Sequence, residues 1–151
     1  MLKQYRQITE LSSSELRILF VALFLLPLTA LSLRTKGFRW TQSFLNRFLP
    51  EKTCANVLHN LQLEEAQSIA KIVLVAANHG PYRANCLKKS LVTRWLLNRK
   101  GIETDLKIGV NKDDGKFNAH AWVEFQGMVL NDTADIDERF SVFDSGKLPK
   151  S

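Results

Sequence analysis

The sequence of 151 residues predicts an α+β fold, with helices in its first part and a helix leading into an antiparallel sheet in its second part. Three observations lead to this prediction. Apolar residues recur at helical spacing before residue 80, a helical stripe follows residue 86, and apolar and polar residues alternate beyond residue 104. His79-Gly80-Pro81 interrupts the pattern between the two parts. We therefore expect a single domain over residues 1–151, with a helical part (1–80) and a part that combines a helix with the sheet (81–151).

The composition is that of a packed globular protein, with 45% hydrophobic and 24% charged residues. It excludes a disordered tail and a collagen-like fibre, and two cysteines are too few for a disulfide scaffold. Reduced thiols and a cytoplasmic location are therefore expected. The net charge of +6 lies mostly in residues 1–85, which carry 10 basic and 5 acidic residues. This basic half indicates a solvated face or an anionic partner, but not a nucleic acid, because no nucleic-acid-binding motif accompanies it.

The first helix is expected to contain residues 18–33, a run of sixteen residues without a charge. Ser12 and Glu15 precede it as a capping serine and a first-turn acid. The run is apolar on all sides and too short to span a membrane, which favours a helix that is buried or touches a membrane surface. Pro27 is expected to break it. A signal peptide is a third alternative, although the acidic residues ahead of the run argue against it.

Two further helices are expected over residues 41–48 and 61–77. The second is amphipathic, because its apolar residues recur every three or four positions between charged ones. These apolar positions are Leu63, Ala66, Ile69, Ala70, Val73 and Ala77.

The second part of the chain reads as one helix and three strands. The helix covers residues 86–100, with an apolar stripe along one face and Gly101 at its end. Strict alternation predicts strands over residues 104–110 and 117–125, joined by a turn at 111–115. In the second strand, Phe117, Ala119, Ala121 and Val123 are expected to face the core, and His120 the opposite side. Gly127 then marks a turn into a third strand, 128–132.

The register of this last hairpin decides where Asp132 lies. A two-residue turn at Gln126-Gly127 would pair Ala121 with Asp132 and put the carboxylate on the face away from His120. A three-residue loop that begins at Phe125 would instead pair His120 with Asp132, at a distance where the carboxylate can hold the imidazole. Glycine in the third loop position favours the three-residue loop, which we therefore predict.

Cys86, His120 and Asp132 form a candidate catalytic triad. Cys86 is expected at a helix N-terminus, where the helix dipole and the neighbouring Lys88 and Lys89 favour the thiolate. The imidazole would carry protons and the carboxylate would orient it. The alternative interpretations are a small buried cysteine and a half-exposed surface histidine. A metal site is disfavoured because no C-x-x-C or H-x-x-x-H pair supplies further ligands, so no metal or other cofactor is expected.

A donor for the oxyanion that forms on the attacked carbonyl is also needed. The backbone N–H of Cys86 is the obvious donor. Asn78, Tyr82 and Asn85 are candidates for a second one, with Asn85 the better candidate for a helix cap.

Five segments of the second part, taken together, are specific. They read CLKKSL (86–91), LLNRKGI (96–102), LKIGV (106–110), FNAHAWVE (117–124) and LND (130–132). This combination resembles the lasso peptide biosynthesis B proteins, in particular the leader-peptidase B2 type. The resemblance implies a transglutaminase-like or papain-like core and a cysteine peptidase that removes the leader from a ribosomally made precursor. It also implies that Cys86, His120 and Asp132 are the catalytic triad.

The resemblance has implications for partners as well. Fused members of the family carry a leader-recognition domain with its own strands, whereas residues 1–85 read as helices. We therefore expect the precursor to be delivered by a separate leader-recognition B1 protein, and an ATP-dependent lasso cyclase to close the ring afterwards. Two other functions stay open at this point. One is a transglutaminase-like acyltransferase with the same triad, and the other is a non-catalytic scaffold held at a membrane surface through residues 18–33.

Overall fold

The computed structural model describes residues 12–47, 59–80, 82–113 and 116–143. Within these ranges the fold is α+β, as expected, with four helices followed by an antiparallel sheet of four strands and a fifth, short helix before the last strand. Phe48, Pro81 and residues 114–115, which the sequence predictions include, lie outside the described residues. The described elements are α1 (Ser13–Lys36), α2 (Phe38–Arg47), α3 (His59–His79), α4 (Cys86–Arg99), β1 (Asp105–Asp113), β2 (Lys116–Phe125), β3 (Met128–Val129), α5 (Ile136–Arg139) and β4 (Ser141–Phe143).

Helix α1 begins at the predicted capping residue. The Ser12 side chain accepts a hydrogen bond from the Glu15 N–H at 3.4 Å, and the Glu15 carboxylate accepts one from the Ser12 N–H at 2.8 Å. This reciprocal pair is a capping box. The hydrogen bonds from Ser12 hold the pKa of Glu15 below its ordinary value of 4.5.

The predicted break of α1 at Pro27 is wrong, because the helix continues to Lys36. Pro27 lies on the exposed side of the helix. Residues on the opposite side of the helix, before and after the proline, are buried, and this packing stabilises the turns on either side of Pro27. These residues are Ala22, Leu25, Leu26 and Thr29. Gly37, with φ of 80°, then ends the helix and turns the chain into α2.

The helices share one core with the inner face of the sheet. Helix α3 extends the predicted segment by two residues at each end, and its predicted apolar positions from Ala66 to Ala77 are buried. Helix α2 is tied to α4 by a hydrogen bond from Trp95 Nε1 to the Leu45 carbonyl at 2.9 Å. Because that carbonyl belongs to the last turn of α2, where the helix itself supplies no partner, the tryptophan satisfies an otherwise unpaired acceptor.

The sheet has the order β3-β2-β1-β4. In the long hairpin of β1 and β2, Gly109 lies opposite His120 and Lys107 opposite Trp122. Strand β1 continues to Asp113, so the predicted turn at 111–115 is wrong over its first three residues. Ala121 and Val123 are buried as predicted, but Phe117 is 75% exposed and Ala119 is exposed, because the end of this hairpin extends past the helices.

The predicted three-residue loop after β2 is also wrong. Gln126 and Gly127, with φ of 50° and 80°, form a two-residue turn that pairs Phe125 with Met128. Positive φ at both central residues is the hallmark of the tight hairpin turn, but glutamine is not a residue that usually signals it. Strand β3 ends at Val129, three residues before the predicted end at Asp132.

Candidate active site

Cys86 is the first residue of helix α4, as the sequence predicts. Asn85 precedes it as the N-cap, and its side-chain oxygen accepts a hydrogen bond from the Lys88 N–H at 3.2 Å. The thiol is a free, half-buried group. The backbone N–H of Cys86 has no partner within its own helix, because the first four N–H groups of a helix never do. A thiol and a free N–H donor therefore lie together at the positive end of the helix dipole.

His120 and Asp132 are brought together despite the different turn. His120 Nε2 lies 2.6 Å from Asp132 Oδ2, and each side chain is about a quarter exposed (26% and 25%). The other carboxylate oxygen of Asp132 accepts the Thr133 N–H at 2.8 Å, which fixes the orientation of the carboxylate. Because Asp132 engages Nε2, the nitrogen of His120 that remains for proton exchange is Nδ1.

Aromatic rings enclose the His120 side chain. The centroid of Phe140 lies 5.2 Å from that of His120, and the centroid of Trp122 lies 6.3 Å from it. Trp122 is fully buried, and its Nε1 donates to Glu124 at 2.7 Å. Gly109, opposite His120, leaves the space for these rings, since a Cβ there would lie 2.8 Å from the Phe140 Cβ and 2.9 Å from Trp122 Cη2.

A buried serine connects the cysteine helix to the histidine strand. Ser90 Oγ donates to the backbone carbonyl of Ala121 at 2.9 Å, next to His120 in the chain. Ser90 follows Cys86 by four residues, so the two lie on the same face of α4, about 6 Å apart along its axis. In the described part of the chain no hydrogen bond joins the Cys86 thiol to the His120 ring. The structure thus packs helix α4 against the strand of His120, and among Cys86, His120 and Asp132 as described it shows a hydrogen bond only between His120 and Asp132.

The lysines and the candidate oxyanion donors contact one another. Lys88 Nζ donates to the Tyr82 hydroxyl at 2.6 Å, and Lys89 Nζ donates to Asn78 Oδ1 at 3.1 Å. Asn85 acts as the helix cap. Both lysines of α4 are therefore bonded to residues that precede this helix in the chain, one in α3 and one in the connection after it.

Other acidic residues are close in sequence but not engaged with His120. Asp135 is exposed, and a hydrogen bond with the Thr133 side chain, the largest of several causes, holds its pKa below the ordinary value. Glu124 is buried beneath Trp122, and Lys107 Nζ lies 3.9 Å from its carboxylate. Among the described residues no group of three or more His, Cys, Asp or Glu side chains could hold a metal ion.

Four residues around the pair were not identified from the sequence: Ser90, Gly109, Asn131 and Phe140. Ser90 carried a usable signal, since it is a polar residue beside the apolar stripe of an otherwise buried helix. Phe140 carried none, because its position depends on α5 and β4, which are four and three residues long.

Comparison with known proteins gives the family. The model of the transglutaminase-like superfamily matches residues 28–144, which include α2 to β4 and the whole candidate site. The chain belongs to this superfamily. A segment of 61 residues is 34% identical to the microcin J25-processing protein McjB of Escherichia coli, and it covers 40% of this chain and 28% of that protein. Both findings support the resemblance to the lasso peptide B proteins. No solved structure matches the chain.

Proposed function

We propose that this protein is a cysteine peptidase that removes the leader from a lasso-peptide precursor. The observation that carries the proposal is the 2.6 Å contact between His120 Nε2 and Asp132 Oδ2. The strand of His120 is in turn bonded, through Ser90, to the helix that begins at Cys86. Membership in the transglutaminase-like superfamily and the similarity to the microcin J25-processing protein support it.

Each group has a defined chemical role in this proposal. His120 Nδ1 accepts the proton of the Cys86 thiol, and the resulting thiolate attacks the carbonyl carbon of the scissile peptide bond. The backbone N–H of Cys86 stabilises the oxyanion. His120 then gives its proton to the leaving amine, the core peptide, and the leader stays on Cys86 as a thioester. Water, deprotonated by His120, hydrolyses the thioester and releases the leader, while Asp132 keeps the imidazole oriented throughout.

The test is an assay by mass spectrometry of leader release from a full-length precursor. Cys86→Ala should abolish release, whereas Cys54→Ala, the matched control, should leave it unchanged. The assay is repeated with a small primary amine in excess. Free leader acid as the main product indicates a peptidase. A leader amide as the main product would contradict the peptidase proposal and support the acyltransferase alternative. Full release by Cys86→Ala would overturn both enzyme hypotheses and favour the scaffold.

The proposed partners are a leader-recognition protein and an ATP-dependent cyclase that uses the released core. A delivery protein raises the effective concentration of the scissile bond near Cys86. We therefore expect the recognition protein to lower the KM for the precursor. Equal KM values with and without it would remove this partner from the proposal and leave the peptidase in place.

We also propose that α1 places the protein on an anionic membrane surface. The expectation that the uncharged run is too short to span a membrane does not hold for the whole of α1, because the helix has 24 residues. By length and composition it could cross a membrane, with a mean hydropathy of 2.3 over its most apolar stretch, of which only 17% is buried. Its exposed side carries large apolar residues, with Phe20 68% and Phe24 72% exposed. Because the other side packs against α3 and α4, we expect α1 to lie in the surface and not to span the bilayer. The only acid of α1 and α2 is Glu15, against five cations, Arg17, Arg34, Lys36, Arg39 and Arg47.

Co-sedimentation with lipid vesicles tests this placement. Vesicles with anionic lipid should bind the wild type, and the double variant Phe20→Ser/Phe24→Ser should remain in solution. Phe117→Ser removes an equally exposed phenylalanine at the far hairpin and is the matched control. Binding that both variants reduce equally, or no binding by the wild type, would contradict the proposed membrane surface.

A further inference from the structure

Strand β3 ends at the point where its register would take Asp132 to the wrong side. The two-residue turn pairs Phe125 with Met128 and Glu124 with Val129. If this pairing continued, Asp132 would lie opposite Ala121. Neighbouring residues of a strand point to opposite faces, so the carboxylate would then point away from His120. The structure nevertheless brings Asp132 Oδ2 within 2.6 Å of His120 Nε2, so something redirects the chain after Val129.

The Asn131 side chain replaces a backbone partner at this point. The Leu130 N–H donates to the Val123 carbonyl at 2.9 Å, as the next step of the ladder requires. The reciprocal bond differs, because the Val123 N–H donates to Asn131 Oδ1 at 2.8 Å. In a regular ladder the Leu130 carbonyl would accept that bond. The side chain thus ends the strand without leaving a backbone donor of β2 unpaired, and the chain is free to turn toward His120.

The same side chain also reaches the cysteine helix. Asn131 Nδ2 donates to Ser90 Oγ at 2.9 Å, and Ser90 Oγ donates onward to the Ala121 carbonyl at 2.9 Å. Ser90 is fully buried. The directions of these bonds are fixed, because the Val123 N–H can only donate and the Ala121 carbonyl can only accept. The amide of Asn131, the residue before Asp132, therefore contacts both the helix of Cys86 and the strand of His120.

We infer that Asn131 is a positioning residue, which selects the face on which Asp132 lies. Its side chain bonds the Val123 N–H and Ser90 Oγ, so any effect on catalysis acts through the placement of Asp132. The expected effect of Asn131 on catalysis rests on the proposed peptidase function. Its effect on the Asp132–His120 hydrogen bond is structural and does not depend on that function.

The structural arm of the test is nuclear magnetic resonance of the His120 ring in the full-length protein. Because the Asp132 carboxylate lies on Nε2, the Nε2–H should give a downfield, hydrogen-bonded ¹H resonance correlated with that ring nitrogen. Asn131→Ala should remove this signature to the same extent as Asp132→Ala. Asn131→Asp keeps an acceptor for the Val123 N–H and should retain it, as should Ser90→Ala, which keeps the Asn131–Val123 bond. Asn118→Ala, an exposed asparagine on the same strand, is the matched control.

The kinetic arm uses leader release. Asn131→Ala should lower kcat about 10²-fold with little change in KM, because a displacement of about 1 Å at a catalytic group has an effect of this size. The double variant Asn131→Ala/Asp132→Ala should be no slower than Asp132→Ala, since both changes remove the same contact.

The two arms separate the inference from the proposed function. An unchanged His120 signature in a folded Asn131→Ala variant would overturn the inference, as would multiplicative losses in the double variant. If Asn131→Ala does not fold, loss of the signature in Asn131→Asp, where the Val123 acceptor remains, would overturn it as well. A wild type that shows the signature but releases no leader would contradict the proposed function and leave the positioning role of Asn131 intact.

Discussion

Gly109 offers a direct test of how tightly the His120 surroundings are packed. Its backbone has no need of glycine's left-handed conformations, so the requirement is one of space. A Cβ at this position would lie 2.8 Å from the Phe140 Cβ, 2.9 Å from Trp122 Cη2 and 3.1 Å from Trp122 Cζ3. Contacts below 3.0 Å force a neighbour to move, and neither neighbour yields easily. Trp122 is fully buried, and the Phe140 Cβ follows its own backbone.

We expect Gly109→Ala to lower the free energy of unfolding by about 1–3 kcal/mol, the usual cost of overpacking a well-packed site. For a protein of this size that corresponds to a fall in Tm of about 2–12 °C. Because Phe140 is the neighbour nearest to His120, its displacement should also lower the rate of leader release. Urea denaturation and calorimetry give the first effect, and the cleavage assay gives the second.

Gly127→Ala is the control for Gly109→Ala. Nothing lies within 4 Å of a Cβ at Gly127, but its φ of 80° strains any other residue. Gly127→Ala should therefore lower the free energy of unfolding by about 1–2 kcal/mol through backbone strain alone. It should leave the His120 resonances unchanged. If Gly109→Ala is as stable as the wild type, the account of a filled aromatic shell around His120 is wrong.

The remaining predictions concern the acid of the pair, the hairpin turn and the first helix cap. Asp132→Asn should keep the fold but lower kcat by about 10²-fold or more, because asparagine can present a donor that selects the wrong tautomer of His120; kcat within a factor of about three would exclude Asp132 from the mechanism. Gly127→Val should reduce the Tm, since a β-branched residue at φ of 80° strains the turn, and an unchanged Tm would contradict this. The stability that Glu15 contributes should be fully present above its unfolded pKa near 4.5 and disappear as the pH falls below that value, because its folded pKa is lowered. The difference in stability between the wild type and Glu15→Ala should therefore shrink between about pH 6 and pH 3, and a constant difference would show that the capping carboxylate has no such role.

Local patterns in the sequence were sufficient for the long elements. The capping box at Ser12 and Glu15, the stripe of α3 and the start of α4 at Cys86 depend on residues within a few positions of one another. Such features are largely decided by local hydrogen bonding and by the apolar face. The continuation of α1 through Pro27 depends instead on which side of the helix is buried, and a sequence does not show this directly.

The partnership of His120 and Asp132 was predicted, but for the wrong reason. The sequence suggested a three-residue loop, because Gly127 would occupy its third position, where a left-handed residue is required. In the structure the turn has two residues, and a side chain, Asn131, corrects the face. Its partners Val123 and Ser90 are 8 and 41 residues away, and contacts at such separations cannot be derived from a local pattern.

The central claim is that Cys86 attacks the substrate with the help of His120, and a covalent trap tests it most directly. A synthetic leader peptide that ends in an electrophilic vinyl sulfone is incubated with the wild-type protein, and the adduct is located by intact-mass and peptide mass spectrometry. The account predicts one adduct, on Cys86 and not on Cys54, that forms much more slowly in His120→Ala. An adduct on Cys54, or equal rates in the wild type and His120→Ala, would contradict the proposed nucleophile and base.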